Sequence, residues 1–260
     1  MMYADTNRNF LHFGNIPRKN ATVKKIKRVS YGYDALNRLT AATGGSTSNY
    51  NLSNVSYDKM GNITALSRNG WQNTSNYTNM DNLIYTYDSG NKLQKVLDNG
   101  NDNYGFKDGA NTTTEYTYDA NGNLEKDLNK GITSISYNHL NMPTEIKFNN
   151  SNTKKINYVY SVDRTKLRKI TNDNGVITTI DYAGDYIYEN NNLKQFYHAE
   201  GYFDVTSTSG NVNGIYVYQY KDMWGNTRLS YADANGDGTI TQNEIRREQN
   251  YYPFGLEHVG

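Results

Sequence analysis

The chain has 260 residues, with 27 Lys and Arg against 26 Asp and Glu, and its net charge of +1 leaves no electrostatic footprint for nucleic acid or an anionic membrane. Cysteine is absent, which excludes disulfides, thiolate nucleophiles and cysteine-ligated metals, and no apolar run approaches the roughly 20 residues of a membrane helix. Hydrophobic residues are 36 % and mean hydropathy is −0.87, but 25 tyrosines, each a large ring with a polar tip, point to a tyrosine-built β structure rather than to disorder.

Residues 1–28 are polar and turn basic at Arg18, Lys19, Lys24, Lys25, Lys27 and Arg28. Such a run reads either as a solvated strand or tail, or as a nucleic-acid arm. A repeat then begins. Residues 31–39 read Tyr-Gly-Tyr-Asp-Ala-Leu-Asn-Arg-Leu, and decaying copies follow at 57–63, 85–93, 116–124, 137–143 and 158–167. Self-similarity at roughly 20–50 residues signals a repeat architecture. Tyr31 and Tyr33 alternate, which puts both rings on one face of a strand. Asp34 opens a type I turn, its side chain bonding the backbone two residues on. Asn37, Gly61 and Gly122 stand where a three-residue hairpin needs the left-handed conformation. Leu39, Ile63, Leu93 and Leu124 return on the second strand. Each copy is one β-hairpin, too small to bury its own core, so neighbours must pair edge to edge.

Residues 44–54, 67–82 and 98–114 are rich in Asn, Ser, Thr and Gly and read as turns and exposed loops. Trp71 stands alone in the second of these. It is either a loop anchor packed on the sheet or a ligand-stacking residue. Residues 180–189 read as strand, Ala-Gly-Asp turn and strand, residues 190–196 as another hairpin, and residues 216–220 as an alternating strand. Helical periodicity is missing throughout.

One stretch carries recognisable chemistry. Residues 233–244, Asp-Ala-Asn-Gly-Asp-Gly-Thr-Ile-Thr-Gln-Asn-Glu, match the Asp-x-Asn-x-Asp-Gly calcium loop ending in Glu. Calcium takes about six to eight hard oxygens. Asp233, Asn235 and Asp237 supply side-chain oxygens, Gly238 makes the sharp turn, and Thr239 offers its carbonyl. Thr241 acts through water, Glu244 closes the site bidentately, and Ile240 tucks inward. The competing reading is a decorated hairpin turn. Residues 226–231 read as a strand, not an entering helix, and only residues 241–248 offer a short exiting helix. Read as a Ca2+ loop, it would be a solitary one between strands and is expected to be structural rather than sensory. No catalytic constellation accompanies it. His12, His139, His198 and His258 are scattered without metal spacing, and no Gly-x-Ser-x-Gly elbow or phosphate-cradling loop is present. The chain reads as a non-enzyme.

The Tyr-x-Tyr-Asp-x-x-Gly-Asn-x-Leu unit resembles the YD repeat of Rhs and teneurin-like proteins. Residues 218–229, containing Asp222-Met223-Trp224-Gly225-Asn226-Thr227-Arg228, resemble the Asp-His-Leu-Gly-Asn-Thr-Arg line of the Rhs repeat-associated core, and residues 251–255 resemble its Tyr-Tyr-Pro-Phe-Gly. The resemblance implies a first strand within 10–16 and three parts: a polar segment over 1–28, YD hairpins over 29–175, and the start of the core over 176–260 with the inserted loop. It implies an all-β fold, serial antiparallel hairpins in a curved, spiralling sheet that forms an open part of a hollow shell. The chain resembles a fragment of such a shell. The implied partners are the remainder of the shell and a C-terminal effector domain, in a secreted or cell-surface bacterial toxin. The self-cleavage motif of the family, Asp-Pro-x-Gly-Leu, is absent. The alternative is an extracellular module whose tyrosine face binds carbohydrate or a neighbouring cell. No nucleic-acid partner and no membrane span are expected.

Overall fold

The computed structural model describes residues 10–11, 28–44, 48–73, 76–101, 103–207 and 211–258, the side chains of residues 10, 11 and 28 excepted. The basic stretch from Arg18 to Lys27 and His12 lie outside these residues. Two compact units form: Met1–Tyr116 with Tyr251–Val259, and Thr117–Asn250 with Gly260. Among the described residues both are built from β-strands and short 3-10 turns, with no α-helix.

Among the described residues, the main sheet of the first unit has seven strands: β1 (Phe10–Leu11), β2 (Arg28–Tyr33), β3 (Leu39–Gly44), β4 (Leu52–Tyr57), β5 (Ile63–Asn73), β6 (Asn76–Tyr87) and β7 (Leu93–Asp98). Their order in the sheet is their order in the chain, and every pair is antiparallel. Of the first strand expected within 10–16, Phe10 and Leu11 form β1, and residues 12–16 lie outside the described residues. Val55, Leu66 and Leu83 stand directly opposite one another across β4, β5 and β6, and all three are buried. Ala42, Leu52 and Val96 extend this core. Burial of each such aliphatic side chain stabilises the unit by about 1.5–3 kcal/mol.

Residues 67–82, expected as an exposed connector, are instead the far half of a long β5–β6 hairpin. Its polar letters hide a bulge. Arg68 pairs with Asp81 and Asn69 with Asn79, so Met80 is the extra residue. A bulge breaks the strict alternation of faces, and Met80 and Asp81 are consecutively buried. The loop over 99–115 then folds onto the hairpin. Trp71 lies in β5 and meets Tyr104 edge-on at 5.4 Å, and Phe106 donates its backbone N–H to Asp81 Oδ1 at 2.6 Å. Of the two readings of Trp71, the packing anchor is the one observed, with the roles inverted: the loop comes to the strand.

Among the described residues, the second sheet has thirteen strands, again in chain order: β8 (Tyr116–Tyr118, of which Tyr116 belongs to the first unit), β9 (Leu124–Asp127), β10 (Ile132–Tyr137), β11 (Pro143–Phe148), β12 (Lys154–Tyr160), β13 (Lys166–Asp173), β14 (Val176–Ala183), β15 (Tyr186–Glu189), β16 (Asn192–His198), β17 (Gly201–Ser207), β18 (Asn213–Lys221), β19 (Thr227–Tyr231) and β20 (Ile245–Glu248). Neither sheet closes on itself. The expected hairpins at 180–189 and 190–196 are present as β14–β15 and β15–β16. Asn174-Gly175 and Asn190-Asn191 both have two positive φ angles, the geometry of a type I′ turn. Tyr186, Phe196, Phe203 and Tyr216 are successive cross-strand partners from β15 to β18, an aromatic row with centroids 4.8–5.6 Å apart.

Candidate functional site

Two features of the structure carry functional information: the turns and tyrosine rungs of the repeats, and the loop between β19 and β20.

The turn of the first repeat closes with Asp34 N–H donating to Arg38 O at 3.0 Å and Asn37 N–H to Asp34 O at 3.0 Å. Asp34 Oδ1 accepts from Leu36 N and Arg38 N, each at 2.9 Å, and Asn37 has φ of 60°. The same pair of bonds recurs at Asp58, Asp88, Asp119 and Asp222, with a left-handed Gly61, Asn91, Gly122 or Gly225 behind. Asn138 replaces the aspartate in one copy and accepts the same two bonds. Hydrogen bonds from Arg38, Asn62 and Asn123, respectively, hold the carboxyls of Asp34, Asp58 and Asp119 below the ordinary aspartate range. At Asp222 burial pushes upward, but the bonds from Asn226 and Arg228 outweigh it.

The tyrosine directly before the turn Asp or Asn of a repeat reaches the repeat before it. Tyr57 donates its hydroxyl to Leu39 O at 2.7 Å, Tyr87 to Ile63 O at 2.9 Å, and Tyr137 to Leu124 O at 2.6 Å. In each case the acceptor is the first residue of the returning strand. Tyr57 and Tyr137 are half-buried, and burial raises both phenols. Turn tips are joined as well. Arg38 donates to Asp58 O and lies 4.5 Å over the Tyr57 ring, Asn62 donates to Asn91, and Asn123 donates to Asn141. The periodic sequence exposes the tyrosines, but not that the hydroxyl is the inter-repeat contact.

The candidate calcium loop hangs between paired strands. Ala232 N–H donates to Glu244 O at 3.0 Å, and Tyr231 pairs with Ile245. Within it, Asp233 accepts from Gly236 N and Asp237 N on Oδ1 and from Gly238 N on Oδ2, so one carboxylate gathers the loop backbone. Gly236 and Gly238, at φ of 72° and 75°, permit the bends. Asn235 Oδ1 accepts from Asp237 N, and Asn235 Nδ2 donates to Asp237 Oδ2 at 2.8 Å. Asp233, Asn235 and Asp237 are therefore brought together. Thr239 is exposed and donates its N–H to Asp237 Oδ1.

Glu244 is 7 % exposed. Its Oε1 accepts from Ala234 N at 2.9 Å, and its Oε2 accepts from Thr241 N and Thr241 Oγ1, both at 2.8 Å. The Thr241 backbone N–H and then its hydroxyl hold this carboxyl below the ordinary range. Ile240 is half-buried. The donors of this loop are hard oxygens, which suits calcium. Among the described residues no three His, Asp or Glu side chains converge as a metal cluster in this geometry. The expected exiting helix is corrected to one 3-10 turn, Gln242–Glu244, followed by β20. Thr241 and Glu244 form a capping box, but Ile245 is already extended and joins the β19 ladder.

Sequence reasoning passed over a buried cluster in the first unit, where Arg68 pairs with Asp81, which is 0 % exposed. The Tyr252 ring lies 5.3 Å from the Arg68 guanidinium. Of the histidines, His198 packs edge-on between Tyr216 and Tyr218, and His258 stacks on Tyr50 at 4.0 Å. Both are packing residues.

No family model and no curated protein matches the chain. Solved structures do. A chain of the crystal structure of TcdB2-TccC3-Cdc42 superposes with a TM-score of 0.51 at 16 % identity, covering 90 % of this chain and 14 % of that one. A chain of the Photorhabdus luminescens Tc holotoxin pore carrying TccC3-D651A aligns at 14 % identity and a TM-score of 0.35, covering 89 % and 14 %. The chain thus shares the β fold of a segment of the first complex and spans about a seventh of the length of either neighbour.

Proposed function

We propose that this chain is a wall segment of an Rhs-type β shell, secreted or held at a cell surface, which with the rest of its shell encloses a C-terminal effector. The observation that carries the reading is the tyrosine rung. Tyrosines arranged for a ligand present their faces and hydroxyls to solvent, whereas Tyr57, Tyr87 and Tyr137 spend theirs on the neighbouring repeat. A wall made by adding one hairpin after another needs such a contact at every step. The role is structural, and no step of catalysis is assigned to it. Calcium would be held by Asp233, Asn235, Asp237, Thr239, Thr241 and Glu244, pinning the β19–β20 connection.

A second reading, an extracellular carbohydrate-binding surface, is favoured at one place. An open cleft of about 460 Å³ lies between Tyr216, half exposed, and the loop residues Asp233 and Asn235. Aromatic faces beside amide and carboxylate groups suit sugars.

One set of variants separates these readings. Tyr57→Phe and Tyr87→Phe remove only a hydroxyl, and in a wall each lowers stability by about 1 kcal/mol, with no change in retention on glycan or cell surfaces. Tyr216→Ala, which strips the aromatic face of the cleft, tests the binder: retention lost in that variant while Tyr57→Phe and Tyr87→Phe melt unchanged would replace the wall by the binder. Calorimetric calcium titration is run alongside, with Asp233→Ala and Glu244→Ala. Stoichiometric binding that both variants abolish supports the structural ion, and a folded protein that takes up no calcium reduces the loop to a turn.

A further inference from the structure

Residues 251–258 return to the first unit from far along the chain. Tyr252 is 4 % exposed, and its hydroxyl donates to Asn69 O at 2.5 Å across 183 residues of sequence. The ring meets Tyr50 edge-on at 6.0 Å, and His258 closes the other side, 4.9 Å from Tyr252 and 4.0 Å from Tyr50. Beneath lies the Arg68–Asp81 pair. Gly70 leaves the space: a Cβ there would stand 2.9 Å from the Tyr252 hydroxyl and 2.4 Å from Met80 Sδ. Burial raises the Tyr252 phenol far above its ordinary value, so it stays a neutral donor.

The segment does not join the seven-stranded sheet. It makes its own two-stranded ribbon, β21 (Asn250–Tyr251) with β22 (Glu257–His258). Its turn is closed internally, Tyr252 N–H to Leu256 O at 2.7 Å and Gly255 N–H to Tyr252 O at 3.0 Å, with Phe254 and Gly255 both left-handed. Its turn is thus closed within the ribbon, and the contacts that Tyr252 and His258 make with Tyr50, Arg68 and Asn69 are made by their side chains.

We infer that the first unit carries a peptide-binding seat formed by Tyr50, Arg68, Asn69, Gly70 and Met80, and that residues 251–258 are its tethered ligand, a self-closed aromatic ribbon that docks and undocks as a body. The ligand class is a β-turn peptide presenting a tyrosine hydroxyl and a second flat ring. Elements that make contact through side chains open at lower cost than strands within a ladder. A tether of this kind supplies its ligand at a high effective concentration, so a modest intrinsic affinity keeps the seat filled.

Hydrogen exchange on the full chain tests this. Tyr252→Ala should speed exchange of residues 251–258 at least about tenfold and leave β2, β3 and β7 within about twofold, because docking is separable from the sheet. A cyclised peptide of residues 250–258, added at about 1 mM, should slow exchange again at Tyr50 and Asn69 in this variant, and not when Gly70→Leu is added. Tyr252→Phe, which keeps the ring, should fall between. Equal acceleration of the whole sheet would make the segment an integral part of the core and overturn the inference. So would unchanged exchange of the segment, or a loosened segment whose seat the peptide does not protect.

Discussion

Arg164 occupies the position that Asn37, Gly61, Asn91, Gly122 and Asn141 hold in other copies, and its φ is 69°. The turn around it still forms: Ser161 N–H donates to Thr165 O and Arg164 N–H to Ser161 O. What the copy lacks is the aspartate at its first position, and Ser161 Oγ reaches Asp163 instead. A left-handed non-glycine residue costs roughly 1–2 kcal/mol, because its Cβ crowds the following carbonyl. Asparagine pays part of that back through local hydrogen bonds, and arginine has no such means. Arg164 is exposed, so replacing it removes strain without removing packing. Arg164→Gly should stabilise the second unit by about 0.5–1 kcal/mol, the gain being trimmed by glycine's freedom in the unfolded chain. Urea unfolding of the two proteins measures this. A destabilised glycine variant would mean that Arg164 makes a contact worth more than its strain.

At the scale of the hairpin, the repeats were legible because each turn needs a side chain to accept from its own backbone and a residue that tolerates positive φ, and both demands write letters into the sequence. Asn138 shows how far the rule extends, since an amide oxygen serves as well as a carboxylate. The β5–β6 hairpin was not legible. Its far half is polar, and its burial depends on a bulge at Met80 and on a loop and a ribbon arriving from elsewhere. The exit from the candidate calcium loop, expected as a short helix over 241–248, stops at one 3-10 turn although Thr241 and Glu244 form a capping box, because Ile245 pairs with Tyr231. The loop residues themselves were found by spacing, and Asp233, Asn235 and Asp237 do meet, while Glu244 faces Thr241 and Ala234. Charge acts at this scale too. Glu145 on β11 receives Lys155 Nζ at 2.8 Å, then Asn157 on β12, then Lys147, and these hold its carboxyl at about 2. A carboxyl depressed by folding contributes stability above its unfolded value of 4.5, and that stability is lost as pH falls from there through about 2. The melting temperature should therefore hold from about pH 7 to pH 5 as far as this group is concerned and fall below that. Glu145→Gln should melt lower near neutrality and show a shallower acid decline. An unaltered decline would assign the acid sensitivity to other carboxyls.

The molecule as a whole distributes its apolar burial unevenly. Among the described residues, nine buried hydrophobic ones, Ala42, Leu52, Val55, Leu66, Met80, Leu83, Val96, Tyr116 and Tyr252, belong to the first unit, and three, Val217, Leu229 and Ala232, to the second. Those three sit on β18, on β19 and just after it. From β10 to β16 every strand residue is half-buried or exposed. These strands are each paired on both sides, but hydrogen bonds exchanged with water add little net stability each. The large term scales with apolar area removed from water, and this stretch removes little by itself. Such a stretch is cooperative along the ladder and weak per strand, as expected of repeats that gain most from their neighbours. Amides of β12, β13 and β14 should therefore exchange through sub-global openings at least about tenfold faster than those of β4, β5 and β6, although both sets are central in their sheets. Exchange mass spectrometry on the intact chain reads both sets in one experiment. Equal protection would mean that the aromatic and cation–π contacts of the second unit, such as Lys166 over Tyr182 at 4.8 Å, replace a buried core. Faster exchange means that the middle of this sheet is stabilised chiefly by its ladder, so that its full rigidity requires a covering surface.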